Sequence, residues 1–111
     1  MFEGNDEDFP DHGSVVTVHL KMAIDGVEFE NTRKRKRPFR FTVGTGSVIQ
    51  GLEMIITHLS IGTKVMAILP PDVAYGEAGM PPKVPRGATV QLTVELLSIF
   101  GDDDEEEEDE D

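Results

Sequence analysis

The clearest pattern near the start of the chain is an alternation of apolar and polar side chains over residues 16–24. A period of two is typical of a β-strand with one buried face. The dipeptide Asp25-Gly26 follows, and both residues tolerate the positive φ values of a tight hairpin turn. The pattern therefore predicts a strand, a two-residue turn and a short returning strand at residues 28–30.

Three further segments carry strand patterns, and one carries a helical pattern. Residues 39–43 and 90–96 alternate like the first strand, and residues 64–69 are nearly all apolar. Apolar residues then recur at helical spacing, namely Val48, Ile49, Leu52, Ile55, Ile56 and Leu59. Ser47 and Gln50 fit a capping box, so a helix is predicted over residues 50–58. Together these elements predict an α+β domain, with one helix across the apolar face of an antiparallel sheet.

The segments between these elements are of two kinds. Residues 70–87 hold five prolines and three glycines, which indicates a long loop. Residues 33–37, with the sequence RKRKR, are expected to form an exposed loop. This basic run is either a nuclear-import signal or a solvated loop.

Charge separates the chain into a globular part and two acidic ends. The net charge is −12, but residues 102–111 are all acidic and supply ten of the 22 carboxylates. The rest of the chain is nearly neutral. We expect residues 1–8 and 101–111 to be disordered and residues 9–100 to form one domain. A body without basic excess, beside an acidic run, argues against nucleic-acid binding.

Several kinds of chemistry find no support in the sequence. The chain has no cysteine, and His12, His19 and His58 lack metal-ligand spacing. The segment GTGSVIQG fails the glycine spacing of a phosphate loop. No cofactor and no metal are expected. The longest apolar run, 65–69, is too short to cross a membrane. We expect a cytoplasmic or nuclear monomer.

An ordered set of motifs resembles the FKBP family of peptidyl-prolyl cis-trans isomerases. The set is VVTVHL, FENT, RPFRF, VIQGLE, PPDVAYGEAG and VPRGATVQLTVELL, and it spans about residues 9–99. The resemblance implies a half-barrel sheet wrapped around a short helix, with a shallow apolar pocket between them. It also implies proline-containing polypeptides as substrates and the macrolides tacrolimus and rapamycin as ligands.

The resemblance also implies the residues of the site. Six pocket positions match the family in type, namely Phe29, Phe39, Val48, Ile49, Tyr75 and Val84. Phe29, Glu30 and Tyr75 are expected to act on the substrate, and the Ile49 backbone N–H is expected to bind a ligand carbonyl.

Five positions depart from the family pattern. Leu20 replaces tyrosine, Glu30 aspartate, Leu52 tryptophan, Met80 histidine and Leu92 phenylalanine. The family also usually has a further strand before the segment 9–13. Only eight residues precede it here, so either the chain is truncated or one sheet edge is uncovered.

Two functions remain open at this stage. One is an isomerase of reduced activity, which acts by taking the Xaa-Pro bond into an apolar pocket. The alternative is a non-catalytic interaction domain of a nuclear or chaperone-associated factor, in which Leu20, Leu52 and Leu92 simply fill the pocket.

Overall fold

A computed structural model describes residues 9–100. The elements are β1 (Val15–Ile24), β2 (Val27–Asn31), α1 (Thr32–Arg35), β3 (Phe39–Thr42), α2 (Gln50–Ile56), β4 (Lys64–Leu69), a 3-10 turn (Pro71–Val73) and β5 (Val90–Phe100). The predicted α+β class is confirmed. The predicted disorder of residues 1–8 and 101–111 lies outside the described residues. Within 9–100, no helix is long and apolar enough to span a bilayer.

The five strands form one antiparallel sheet in the order β2-β1-β5-β4, and β3 also pairs with β1. One edge of β1 is occupied by β5 along most of its length. The other edge is shared, because β3 pairs with residues 15–18 and β2 with residues 21–24. In the described part of the chain β4 pairs only with β5, so it lies at the sheet's edge. The exposed side chains of Met66 and Ile68 lie on this strand.

The core lies between α2 and one face of the sheet, called here the inner face. Alternate residues of β1 and β5 point into it, as the period of two predicts. The buried set is Val16, Val18, Leu20, Met22, Phe41, Val43, Leu52, Ile56, Leu59, Leu69, Val90, Leu92, Val94 and Leu96. Gly51 on α2 is held close to β4, since a Cβ there would lie 2.7 Å from Leu69 Cδ1 and 3.0 Å from the Val73 carbonyl oxygen.

The helix α2 begins at Gln50 as predicted, but its end and its N-cap differ from the prediction. It ends at Ile56, two residues earlier than expected, and its N-cap is Ile49 without any side-chain cap. The predicted capping box is wrong, because Ser47 makes no cap and its Oγ instead hydrogen-bonds with Thr45 Oγ1 at 3.1 Å. Val48 and Ile49 pack against the core in non-helical backbone, so Ile49 rather than Ser47 is the N-cap.

The basic run was expected to be a loop, but its first residues form the single helical turn α1. Asn31 Oδ1 caps this turn by accepting hydrogen bonds from the N–H groups of Arg33 and Lys34 at 3.0 and 3.1 Å. Lys36 ends it in the left-handed conformation, with φ of 58°. Side-chain capping of this kind is how short helical turns outside longer helices are stabilised.

Thr32 fastens α1 to β1 at the gap between β2 and β3. Its side chain is fully buried, and its hydroxyl accepts from the Leu20 N–H at 2.9 Å and donates to the Leu20 carbonyl at 3.3 Å. His19 Nδ1 lies 2.8 Å from the same oxygen. One hydroxyl thereby satisfies both backbone groups that lose their strand partner at this gap.

Candidate active site

A largely apolar cavity of ≈ 360 Å³ opens between the start of α2 and the inner face of the sheet. Three parts of the fold form it. These are the C-terminal half of β1 together with β2 and β3, the segment that leads into α2, and the loop that follows the 3-10 turn. The lining residues are Leu20, Met22, Glu30, Phe39, Ser47, Val48, Ile49, Leu52, Tyr75 and Met80. The cavity has the size and the apolar character of a small-ligand site.

A bulge in the first hairpin brings β2 into the cavity wall. Asp25 and Gly26 form the turn with φ of 53° and 81°. Next to this turn Ala23 pairs with Glu28, but the following residue, Met22, pairs with Glu30. Phe29 is therefore the additional, unpaired residue of β2. Bulges redirect side chains next to functional sites. Here the bulge allows Glu30 to line the cavity while Phe29 packs beside it.

Glu30 is held by an arginine of the basic run. Arg35 Nη2 donates to Glu30 Oε2 at 2.9 Å, and the two side chains are 50% and 26% exposed. A pair this exposed contributes little to stability, about 0–1 kcal/mol. Its effect is geometric, because it keeps the carboxylate at the rim of the cavity.

Tyr75 supplies a hydroxyl to the cavity. Its ring meets Phe29 edge-to-face, with centroids 6.2 Å apart, and its Oη lies 4.0 Å from Met22 Sδ. Burial raises the pKa of the Tyr75 phenol, and the negative charge of Glu30 raises it further. The phenol therefore stays protonated at neutral pH and can donate a hydrogen bond to a ligand.

Tyr75 is the only tyrosine and the chain has no tryptophan, so the ultraviolet absorbance change that accompanies phenol ionisation reports Tyr75 alone. We expect its titration midpoint to lie above the ordinary pKa of 10.0. Glu30→Gln should lower the midpoint by removing the negative charge, while burial still holds it above normal. Glu28→Gln is the matched control, because Glu28 pairs with Lys34 outside the cavity. Equal midpoints in the parent and Glu30→Gln would contradict an effect of the Glu30 charge on the Tyr75 phenol.

A second donor lies at the entry to α2. Ile49 lines the cavity, and no acceptor among residues 9–100 receives its backbone N–H. Its carbonyl, by contrast, accepts from Leu52 and Glu53 at 3.1 and 3.3 Å. The cavity thus combines apolar walls with two donors, one hydroxyl and one backbone N–H.

Comparison with known proteins decides the family. The family model described as FKBP-type peptidyl-prolyl cis-trans isomerase matches residues 6–97. The chain belongs to this family. It is 39% identical over 97 residues to peptidyl-prolyl cis-trans isomerase Fkbp12 of Drosophila melanogaster, covering 86% of this chain and 90% of that protein. It is equally identical, over the same length, to FK506-binding protein 1A of Aspergillus fumigatus, covering 86% and 87%.

A solved structure supports the FKBP fold independently. FkpA from Escherichia coli matches with a TM-score of 0.78 and 33% sequence identity. The match covers 85% of this chain and 43% of that one. The family model and these relatives thereby confirm the predicted function class, which is that of the FKBP-type peptidyl-prolyl isomerases.

Most of the expected site residues of this FKBP domain lie together. Eight of the eleven line the cavity, namely Leu20, Glu30, Phe39, Val48, Ile49, Leu52, Tyr75 and Met80. Phe29 is adjacent, against the Tyr75 ring. Val84 and Leu92 are each fully buried and are not among the lining residues. Val84 instead forms two backbone hydrogen bonds with Met80, at 2.8 and 3.0 Å, and so holds Met80 in the cavity wall.

Sequence reasoning missed three residues of the site. Met22 was assigned to the core, but it also lines the cavity and faces the Tyr75 hydroxyl. Ser47 was assigned to a helix cap and lines the cavity instead. Arg35 was counted with an exposed basic loop, although it binds Glu30. Only the strand register of Met22 was visible in the sequence. No metal-binding cluster occurs among residues 9–100.

Proposed function

We propose that this FKBP domain isomerises Xaa-Pro bonds in the inner-face cavity, at a lower rate than a site with an aromatic floor. The observation that carries the proposal is the combination of an apolar cavity with the protonated Tyr75 hydroxyl and the Ile49 N–H, which has no acceptor among residues 9–100. The same cavity is proposed to accept macrolides, since the Aspergillus relative is named for FK506 binding.

Isomerisation of an Xaa-Pro bond needs no nucleophile. Rotation about a peptide bond faces a barrier of about 18–20 kcal/mol, because twisting breaks amide resonance. Water favours the planar, charge-separated amide, so moving the bond into an apolar cavity lowers the cost of twisting. Donors that bind the twisted carbonyl better than the planar one add to the rate. Tyr75 and Ile49 are the residues proposed to do so.

The reduced rate follows from the cavity floor. Leu52 is 2% exposed and offers no indole ring and no N–H to a proline. Leu20 likewise brings no hydroxyl beside Glu30. Aromatic contacts are worth about 0.5–1.5 kcal/mol beyond their area, so their loss should weaken both binding and catalysis without closing the cavity.

The deciding experiment is an NMR exchange or protease-coupled assay on a Xaa-Pro peptide. We expect isomerisation faster than in buffer at micromolar protein, with a several-fold loss in Tyr75→Phe. Met66→Gln is the control, because Met66 is 70% exposed on β4 and away from the cavity. Rates equal to buffer at tens of micromolar protein would refute catalysis.

One observation favours the non-catalytic alternative. Leu20, Leu52 and Leu92 are all nearly or fully buried, at 6%, 2% and 0% exposure, and belong to one core. If the assay shows no catalysis while rapamycin or a proline peptide still shifts the amide signals of Ile49 and Tyr75, the cavity is a binding site only.

The import hypothesis for the basic run stays a prediction. Three of its five cations are engaged: Arg33 with Glu95, Lys34 with Glu28, and Arg35 with Glu30. Replacing residues 33–37 by alanine in cells would test import, and an unchanged distribution would argue against it.

A further inference from the structure

A second cavity, of ≈ 320 Å³, lies on the outer face of the sheet, opposite the inner-face cavity. Four cations from three elements line it, namely Lys21 on β1, Lys64 on β4, and Arg33 and Lys34 on α1. We call this site the outer basic pocket. Its volume lies within the range of about 300–1,000 Å³ that is usual for small-ligand sites.

The strand register explains why these cations share one site. In β1 and β5 the lining residues alternate with residues of the core, so their side chains point away from α2. Thr93 of β5 pairs with Lys21 on one neighbouring strand, and Glu95 pairs with Lys64 on the other. The two lysines therefore flank β5 from opposite sides. The flexible four-carbon stem of each lysine allows its ammonium group to approach a ligand bound between them.

Two carboxylates neutralise this site only in part. Glu95 accepts a hydrogen bond from Arg33, and Glu28 pairs with Lys34 at 3.3 Å. Hydrogen bonds to each carboxylate lower its pKa, so both are ionised at neutral pH. The other two lysines of the pocket form no ion pair within residues 9–100. Four cations thus face two carboxylates, which leaves an excess of two positive charges.

This excess and the available donors indicate the chemistry of the ligand. A carboxylate or a phosphodiester carries one negative charge, whereas a phosphate monoester carries about −1.5 to −2 at pH 7 and has three acceptor oxygens. Among residues 9–100, the Arg33 side chain donates through Nη2 alone, to Glu95, so other N–H groups of its planar fork remain for a ligand. Thr93 lines the same pocket and offers a hydroxyl. We propose that the outer basic pocket binds the dianionic group of a phosphate monoester.

The proposed site assigns a different role to each cation. Lys21 and Lys64 supply the two charges that balance the dianion, and Arg33 orients it through charge-assisted hydrogen bonds, which are about twice as strong as neutral ones. The Arg33 and Lys34 side chains are 60% and 74% exposed, so the pocket is open to solvent. Both a small phosphate ester and a phosphorylated side chain of a polypeptide can therefore enter it.

Amide-shift titrations of the full chain test the proposal and distinguish the two sources of phosphate. The probes are O-phosphoserine and a short peptide with one phosphoserine, and the control is the same peptide with glutamate at that position. We expect the phosphorylated probes to shift the amide signals of Lys21, Lys64 and Thr93. The phosphopeptide should bind about tenfold tighter than the glutamate peptide, because its charge is larger and it has more acceptors. Equal affinity for O-phosphoserine and the phosphopeptide would indicate a small ester as ligand, and tighter binding of the peptide a phosphorylated polypeptide.

Two double variants separate this site from a general attraction of anions. Lys21→Gln, Lys64→Gln removes the two lysines that form no ion pair within residues 9–100 and should weaken phosphopeptide binding about tenfold. Lys83→Gln, Arg86→Gln removes the same charge from exposed positions of the long loop, outside the pocket, and should leave the affinity unchanged.

Three results would overturn the proposal. Equal weakening by both double variants would mean that the phosphopeptide is attracted by charge alone. Equal affinity for the phosphopeptide and the glutamate peptide would mean that the pocket does not select a phosphate. Shifts confined to Ile49 and Tyr75 would mean that the probes bind in the inner-face cavity. Isomerase activity does not enter these measurements, so their outcome is independent of the function proposed for that cavity.

Discussion

Replacing Thr32 by valine is expected to lower the free energy of unfolding by about 2–6 kcal/mol, since each buried backbone group left without a partner costs about 1–3 kcal/mol. Valine keeps the shape of threonine but removes the hydroxyl. The Leu20 N–H and carbonyl then lose their shared partner at the gap between β2 and β3. A small domain has only about 5–15 kcal/mol of stability, so this one hydroxyl contributes a large part of it.

Urea unfolding of two variants checks this expectation. Thr32→Ser is the matched control, because it keeps the hydroxyl and loses one methyl group, worth about 1 kcal/mol. We expect Thr32→Val to be clearly less stable than Thr32→Ser. Equal midpoints would mean that water or a shifted backbone replaces the hydroxyl. The Thr32→Val variant should also weaken substrate binding, because α1 carries Arg35 and so positions Glu30.

Replacing Leu52 by tryptophan is expected to raise affinity for a proline peptide or rapamycin about two- to twelvefold, since an aromatic contact adds about 0.5–1.5 kcal/mol. Leu52 lies at the cavity floor and points from α2 towards the sheet. The cavity of ≈ 360 Å³ gives the indole space above the floor. The melting temperature should change little. The variant contains the only tryptophan, so its fluorescence follows binding directly.

Leu92→Phe is the contrasting variant. It also restores the aromatic residue that the family pattern has, but Leu92 is fully buried and does not line the cavity. We expect overpacking, with a loss of about 1–3 kcal/mol of stability and no gain in affinity. If Leu52→Trp behaved the same way, losing stability without binding better, the inner cavity would be closed in solution and the non-catalytic function would be favoured.

The two variants distinguish two effects that a substituted pocket residue can have in this FKBP domain. A substitution at the cavity wall changes what a ligand meets, whereas one beneath the wall changes only packing. Leu52 and Leu92 look alike in the sequence, where each is an apolar residue at a core position. They differ because Leu92, which pairs with Met22 and Ala67, is covered by neighbouring strands, while Leu52 lies where α2 enters the cavity.

The sequence by itself determined the elements whose structure depends on nearby residues. Alternation over β1 and β5 predicted the buried faces of both strands, because successive side chains of a strand point to opposite sides. Asp25-Gly26 predicted the hairpin, because its turn needs two positive φ values. The family motifs identified most of the cavity residues, since the same order of elements brings the same positions together.

Tertiary contacts decided the rest. The capping box at Ser47 fits locally, but Val48 and Ile49 pack on the core in non-helical backbone, and Ile49 becomes the N-cap of α2. The helical turn α1 is attached to β1 because the Thr32 hydroxyl bonds to the backbone of Leu20, twelve residues away.

Arg33 and Glu95, which are 62 residues apart in the sequence, form a hydrogen bond only because the fold brings α1 close to β5. Periodicity records which side of an element is buried, but it does not record which distant residue lies opposite. Hydrogen bonds and ion pairs between distant residues therefore appear only once the chain has folded.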